Sequence, residues 1–358
     1  MNIAFSEEQL LLKSQVRKLL EGECDSETVR EVLDGSQEYA QGLWKSLCDM
    51  GLPGTAIDDE YGGASAGYLE LCVVAEELGR AVAPVPFPSS IYLAAEVLKA
   101  AGSQEQKKSY LPRIASGESI GTVALDVAAN LKDGALSGTL NDVPDGGVAD
   151  LAIVLASPGG DGEAVLAIVE LTDSSVTRTS MKTIDPTRNL ANLAFDGTPA
   201  EVIECPGGAA AIVERVRNHA AILVAFEQVG GAEKALEMAT GYAKERYAFG
   251  RPIGSFQAIK HMLANMYVEL ELARSNCFFG AWALSSDAPE LAEAAATARV
   301  SATQAYQLCS KNNIQTHGGM GFTWEVDCHL YYRRSNWLAL VLGNQHEWKD
   351  KLAGLLVA

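Results

Sequence analysis

The chain has 358 residues, 48% of them apolar and 21% charged, with a formal net charge of −18. That balance belongs to a folded globular chain long enough for two or three domains, not to a disordered one. So much negative charge repels phosphate backbones and anionic lipid, which excludes nucleic acid and membrane surfaces as partners. An anionic ligand then needs a local cluster of Arg or Lys.

The start, MNIAFSEEQLLLK, has no basic segment leading into an apolar core, so it does not read as a secretory signal. No apolar run reaches about 18 residues without a charge, so no membrane span is predicted. Cys24, Cys48, Cys72, Cys205, Cys277, Cys309 and Cys328 are scattered and include no C-x-x-C pair. Free thiols in a reducing cytoplasm are expected, with no disulfide framework and no metal site.

From Ser6 to about Ser116 the pattern is helical. Ser6 followed three residues later by Gln9 resembles a capping box. Leu10, Leu11, Val16, Leu19 and Leu20 then recur at helical spacing, and Leu43, Trp44 and Leu47 continue the theme. Tyr68 to Leu78 predicts another apolar-faced helix, broken by Pro84, Pro86 and Pro88 before a further one at Tyr92 to Ala101. Between Ile120 and Val202 the period changes to two, with strand-like runs at Gly121–Leu125, Leu151–Ala156, Ala164–Val169 and Leu193–Phe195. Helix returns from Gly208 to the end, Ala-rich between Ala292 and Ala302. The order predicts an α+β multidomain chain: N-terminal helices over 1–118, a central β domain over 119–205 and a C-terminal helical bundle over 206–358.

Two segments of the last third carry chemistry. YAKERYAFGRPIGSFQAIKH runs from Tyr242 to His261, and NIQTHGGMGFTWE from Asn313 to Glu325. Arg246 and Arg251 are expected on a tight helix-to-helix bend suited to a phosphate pair, with the next helix opening near Ser255. Gln257 and Gln315 are amides able to bond a polar ring edge, and Gly318 with Gly319 lets backbone come close to a ligand. On chemistry alone, an ordinary interhelical turn accounts for the same residues.

The two segments, at this separation and in this helix–β–helix order, closely resemble the C-terminal motifs of the acyl-CoA dehydrogenase family. The resemblance covers the whole chain. It implies that family's fold: N-terminal helical domain, central β-barrel-like domain and C-terminal four-helix bundle. It also implies FAD as cofactor, its ADP half contacted by these motifs and its remainder held mainly by the neighbouring protomer. Carried over residue by residue, Arg246 resembles the pyrophosphate-binding arginine and Phe249, beside Phe256, the phenylalanine that packs by the dinucleotide. Gln257 and Gln315 resemble the amides near adenosine, and Gly318 and Gly319 the glycines against the pyrophosphate. For His317, packing within the turn and ligand contact both stay open. The implied reaction is α,β-dehydrogenation of an acyl-CoA thioester, in which a glutamate takes the α proton and the flavin the β hydride, with electron-transfer flavoprotein as acceptor.

The departures from the family pattern point to a subunit with part of the active site lost. The usual base position falls on Leu342, in the stretch Ala339–Asn344, and the alternative base and arginine positions fall on Ala220 and Ala221. The flavin-facing stretch Ala124–Asp133 lacks the family's Pro and Gly-Ser. Asp142–Val143–Pro144 places a carboxylate where the loop over the isoalloxazine belongs, beside a flavin that becomes anionic on reduction. Retained ADP contacts with a lost base are what one subunit of a heterotetramer shows. Such α2β2 dehydrogenases act on bulky steroid side-chain thioesters in bacteria, and Asp185-Pro-Thr-Arg188 resembles that branch. Glu227 lies seven residues after Ala220, about 10 Å further along a helix axis. It is either a displaced base, which makes the chain a self-sufficient homomer, or one side of a salt bridge. A non-catalytic scaffold of the same fold is the third reading.

Overall fold

The computed structural model describes residues 5–159 and 162–357; residues 1–4 of the MNIAF start lie outside them. In chain order the helices are α1 (Glu7–Glu23), α2 (Ser26–Leu33), α3 (Gln41–Asp49), α4 (Tyr68–Arg80), α5 (Ala95–Ala101) and α6 (Gln104–Ala115). Then come the strands β1 (Gly121–Lys132), β2 (Ala135–Pro144), β3 (Leu151–Ser157), β4 (Val165–Glu170), β5 (Val176–Ser180) and β6 (Leu190–Ile203). The remainder holds α7 (Ala209–Glu245), the short β7 (Tyr247–Ala248) and β8 (Arg251–Pro252), α8 (Gln257–Ser285), α9 (Leu291–His317), α10 (Cys328–Leu340) and α11 (Gln345–Val357). The chain divides into two compact units, one of Met1–Val29, Tyr68–Ala83 and Ala221–Ala358, the other of Arg30–Gly67 and Pro84–Ala220.

The first unit is helical apart from the short β7–β8 pair. Ser6 opens α1 with the capping box its sequence announces: the Gln9 amide donates to Ser6 Oγ at 3.2 Å, and the Ser6 amide to Gln9 Oε1 at 2.9 Å. The expected apolar stripe is only half used. Val16 and Leu20 are buried, whereas Leu10 and Leu11 are exposed. α4 also differs from a plain apolar face, because it buries Glu76 and Glu77. Lys13 meets Glu76 at 2.7 Å, Arg274 also reaches Glu76, and Arg17 grips both oxygens of Glu77 at 2.8 and 2.7 Å. Buried carboxylates persist only with such partners. The partners stand on α1 and α8, far away in sequence, so no local pattern shows them. Small residues bring the bundle helices together: Ala294, Ala295, Ala298, Ala302 and Ala305 of α9 are fully buried.

The second unit contains the β domain. Strands run in the order β2-β1-β3-β4-β6-β5, and β2 also pairs with β6, which closes a barrel. β1 and β3 are parallel; the other pairs are antiparallel. β2 and β5 escape sequence inspection. β2 shifts register against β6 between Leu136 and Ser137 and between Leu140 and Val143, while β5 is a polar strand that, among the described residues, pairs along β6. The expected helix at Tyr92 begins earlier, since Pro88 opens a π-helical segment, Pro88–Ala94, that leads into α5. Proline is compatible with a first helical turn, where its missing N–H is no loss.

A buried polar knot lies in this unit. Glu96 accepts from Lys99 Nζ and from His219 Nδ1, both at 2.7 Å, and Lys99 also donates to the Ala56 carbonyl. Burial by itself would raise the Glu96 pKa. The Lys99 ammonium, then the His219 hydrogen bond and charge, overcome it and hold the group at about 2. A carboxyl depressed on folding contributes stability that is complete above its unfolded value and lost as pH falls toward its folded one. Acid unfolding curves should therefore steepen between about pH 4.5 and 2, and Glu96→Gln should flatten that limb; an unchanged limb refutes the assignment.

Candidate functional site

The predicted site residues stand at the ends of α7, α8 and α9 in the first unit. At the end of α7 the Arg246 amide donates to the Tyr242 carbonyl at 2.8 Å, one last helical turn, and the Arg246 side chain is exposed. The chain then forms a β-hairpin in place of the expected helix-to-helix bend. Tyr247 pairs with Pro252 and Ala248 with Arg251, so the turn residues are Phe249 (φ 53°) and Gly250 (φ 79°). Positive φ at both central positions is the geometry that matches strand twist in a two-residue hairpin. The turn leaves Phe249 95% exposed, its ring edge-on to Phe256 at 6.2 Å. The Arg251 guanidinium lies over the other aromatic ring, 4.1 Å from the Phe256 centroid, which ties the hairpin base to the start of α8.

Gln257 is the first residue of α8 and exposed. Phe256 caps the helix without a side-chain bond, so the first-turn N–H groups point outward. The helix starts two residues beyond Ser255, after a 3-10 turn at Ile253–Ser255. Gln315 is exposed in the last turn of α9, before the buried His317 and the turn Gly318–Phe322. The glycines of that turn serve different purposes. Gly318 adopts φ 60° and ψ −133°, a conformation closed to other residues, and a Cβ on Gly321 would fall 2.5 Å from the Ile314 carbonyl. A Cβ on Gly319 would meet nothing within 4 Å, and its φ is not left-handed. The fold itself has no need of glycine there.

One contact brings the two segments together. The Tyr242 ring stacks on the His317 ring with centroids 4.2 Å apart, and His317 Nδ1 donates to the Asn313 carbonyl at 2.9 Å. His317 thus packs in the turn. Sequence reasoning passes over Tyr242, although its place one turn before Arg246 is a usable signal.

Glu227 is not part of this cluster. It stands in α7 nineteen residues before Arg246, roughly 28 Å along the axis, and is fully buried. There α4 crosses α7 with backbones almost touching, and a Cβ on Gly79 would lie 2.0 Å from the Glu227 carbonyl oxygen. Leu342 occupies the loop between α10 and α11 at φ 65°. Trp348 Nε1 donates to its carbonyl at 3.1 Å, while buried Arg299 donates to the Leu338 carbonyl and, at 2.7 Å, to that of Val341. Gln228 Oε1 accepts from the same guanidinium at 2.7 Å. A lone arginine in the Ala-rich run of α9 is the sequence signal for this clamp.

In the second unit, Asp142 is exposed at φ 54°, its amide bonded to Asn192 Oδ1 at 3.0 Å. β1 shifts register against β3 between Ala124 and Ala129. Asp185, Thr187 and Arg188 are buried around an exposed Pro186: Asp185 accepts from the Thr187 amide at 3.1 Å, and Arg188 donates to the Val85 carbonyl at 3.0 Å.

Comparison with known proteins agrees along the chain's length. Residues 6–118 match the family model described as acyl-CoA dehydrogenase, N-terminal domain, and residues 207–346 that of the acyl-CoA dehydrogenase C-terminal domain. The chain is 34% identical to acyl-CoA dehydrogenase IpdE2 of Mycobacterium tuberculosis over 342 residues, covering 95% of each. Among solved structures it is similar to the ChsE4-ChsE5 complex from Mycobacterium tuberculosis, with a TM-score of 0.91 at 27% identity, covering 100% of this chain and 99% of that one. It is likewise similar to the Tcur3481-Tcur3483 steroid ACAD G363A variant, with a TM-score of 0.88 at 29% identity and 98% of each chain covered. Among the described residues no helix is long and apolar enough to cross a membrane.

Proposed function

Because this chain belongs to the acyl-CoA dehydrogenase family, we propose that it is a subunit of an FAD-dependent acyl-CoA dehydrogenase and works beside a homologous subunit that supplies the base. The observation that carries the proposal is the contrast between Leu342 at the base position and the exposed cluster of Arg246, Phe249, Gln257, Gln315, Gly318 and Gly319. Those residues fit the ADP half of FAD. Arg246 offers a cation to the pyrophosphate, and the outward N–H groups of the α8 start add positive potential beside it. Gln257 and Gln315 offer amides to the adenosine, and the open space above Gly319 admits a phosphate close to backbone. When bound, FAD supplies the hydride acceptor for α,β-dehydrogenation of the acyl thioester. Leu342 has no group able to accept the α proton, and Ala220 and Ala221 provide neither the alternative base nor its arginine.

We take the assembly to be of the heterotetrameric kind, in which a partner would cover the exposed phenylalanine at the hairpin tip. The similarity to a steroid acyl-CoA dehydrogenase supports a bulky steroid-derived thioester as substrate. A cytoplasmic location and electron-transfer flavoprotein as acceptor belong to the same reading. It also takes 1–118, 119–205 and 206–358 as the helical, β and bundle domains.

The test is to purify the chain alone and together with a homologous acyl-CoA dehydrogenase subunit, then measure bound flavin and acyl-CoA turnover. Turnover is expected only from the mixture. Stoichiometric FAD with full activity in the lone chain would overturn the proposal.

A further inference from the structure

The Tyr242–His317 stack joins the two motifs of the candidate site. We infer that these two rings are positioning residues. They set the placement of Arg246 relative to the Gly318–Gly319 turn, so that a pyrophosphate meets the guanidinium and the turn together. This inference rests on the reading of the site as an ADP-half cradle.

Connectivity is the first support. Tyr242 lies one turn before Arg246 and accepts that residue's amide at 2.8 Å, so a fixed Tyr242 fixes the backbone from which Arg246 extends. His317 immediately precedes Gly318. Its ring is held from two sides: by Nδ1 donating to the Asn313 carbonyl at 2.9 Å, and by the Tyr242 face at 4.2 Å with the planes 27° apart. A carbonyl oxygen only accepts, so the proton is on Nδ1, and the bond dictates both tautomer and ring orientation. Both motifs are helix ends, where the last turn frays and backbone order is weakest. Arg246 itself is exposed and has no geometry of its own to lend. A flat stack between two buried or half-buried rings supplies what the helix ends lack, a face-to-face contact that resists sliding. Gly321 seats the same turn against α9, where an added Cβ would fall 2.5 Å from the Ile314 carbonyl oxygen.

The experiment uses the assembly that the full chain forms, stripped of flavin and titrated with FAD, with thermal unfolding of the unloaded protein measured in parallel. Tyr242→Leu and His317→Leu should each weaken FAD binding about tenfold, the worth of one aromatic pair, whereas Tyr242→Phe and His317→Phe stay within about twofold because a ring still stacks. Should a leucine variant fail to fold, Tyr242→Met and His317→Gln fill the volume without a stacking face and carry the same expectation. A melting temperature that falls while FAD affinity holds makes the stack purely structural and overturns the inference; so does a phenylalanine variant as weak as its leucine counterpart. Arg246→Ala separates the two levels. If it weakens FAD binding and the ring variants do not, only the positioning role fails. If Arg246→Ala leaves binding unchanged, the ADP-cradle reading fails with it.

Discussion

Replacing Gly319 by leucine should strip FAD from the assembly and leave the stability of the chain untouched. A Cβ at Gly319 meets no atom beyond its own stretch of chain within 4 Å and the residue is exposed, so a side chain there can extend toward solvent. Its φ is not left-handed, and no backbone strain results. Neighbouring glycines are different: Gly318 needs its φ of 60°, and Gly321 lies against the Ile314 carbonyl. A leucyl group at Gly319 fills the space in which a phosphate would approach the backbone. The expected loss of FAD affinity is about a hundredfold, on the order of 3 kcal/mol, with the melting temperature within about 2 °C of wild type. Titration of the flavin-stripped assembly alongside thermal unfolding checks both halves. Retained affinity would show that no ligand lies over this turn.

The second large effect belongs to the fold. Gly230→Ala should destabilise the first unit by about 3–5 kcal/mol, because overpacking against backbone has no side-chain escape. The added Cβ would stand 1.8 Å from the Glu76 carbonyl oxygen and 2.9 Å from the Arg80 amide nitrogen. α4 would have to retreat from α7, and Glu76 and Glu77 depend on the present spacing for their ion pairs with Lys13, Arg17 and Arg274. A buried carboxylate that loses its partner adds its own desolvation cost to the steric one. Gly241→Ala, on the same helix with nothing within 4 Å of its Cβ, is the control and should stabilise by about 0.5–1 kcal/mol through helix propensity. Denaturant midpoints of the two variants decide it: a Gly230→Ala protein within about 1 kcal/mol of wild type would mean that the helices are not in backbone contact.

Several elements are legible in the sequence because their causes are local. The capping box at Ser6 and Gln9 involves residues three apart, and it forms as written. The long amphipathic runs become α7, α8 and α9, and the glycine cluster after Asn313 becomes a tight turn. The hairpin at Tyr247–Pro252 escapes such inspection because two-residue strands carry no period; its signal is the Phe-Gly pair at the turn, which also reads as a helix break. β5 escapes because Val-Thr-Arg-Thr-Ser is polar along most of its length, and its strand character comes from pairing with β6. Leu10 and Leu11 share the apolar spacing of Val16 and Leu20 yet remain exposed, since spacing states which residues share a face and not how wide a partner covers it.

By itself, the amino-acid sequence determined the helix–β–helix order, the family and the absence of a proton acceptor at Leu342, Ala220 and Ala221, because side-chain chemistry at a given position is independent of packing. Only the tertiary structure decided that Glu76 and Glu77 are buried and paired, that Glu227 is fully buried at a helix crossing, and that Tyr242 and His317 join the two motifs. Each of those depends on residues tens to hundreds of positions apart. Their energies come from desolvation, ring contact and backbone approach, all of which take a value only once the chain has brought the groups together.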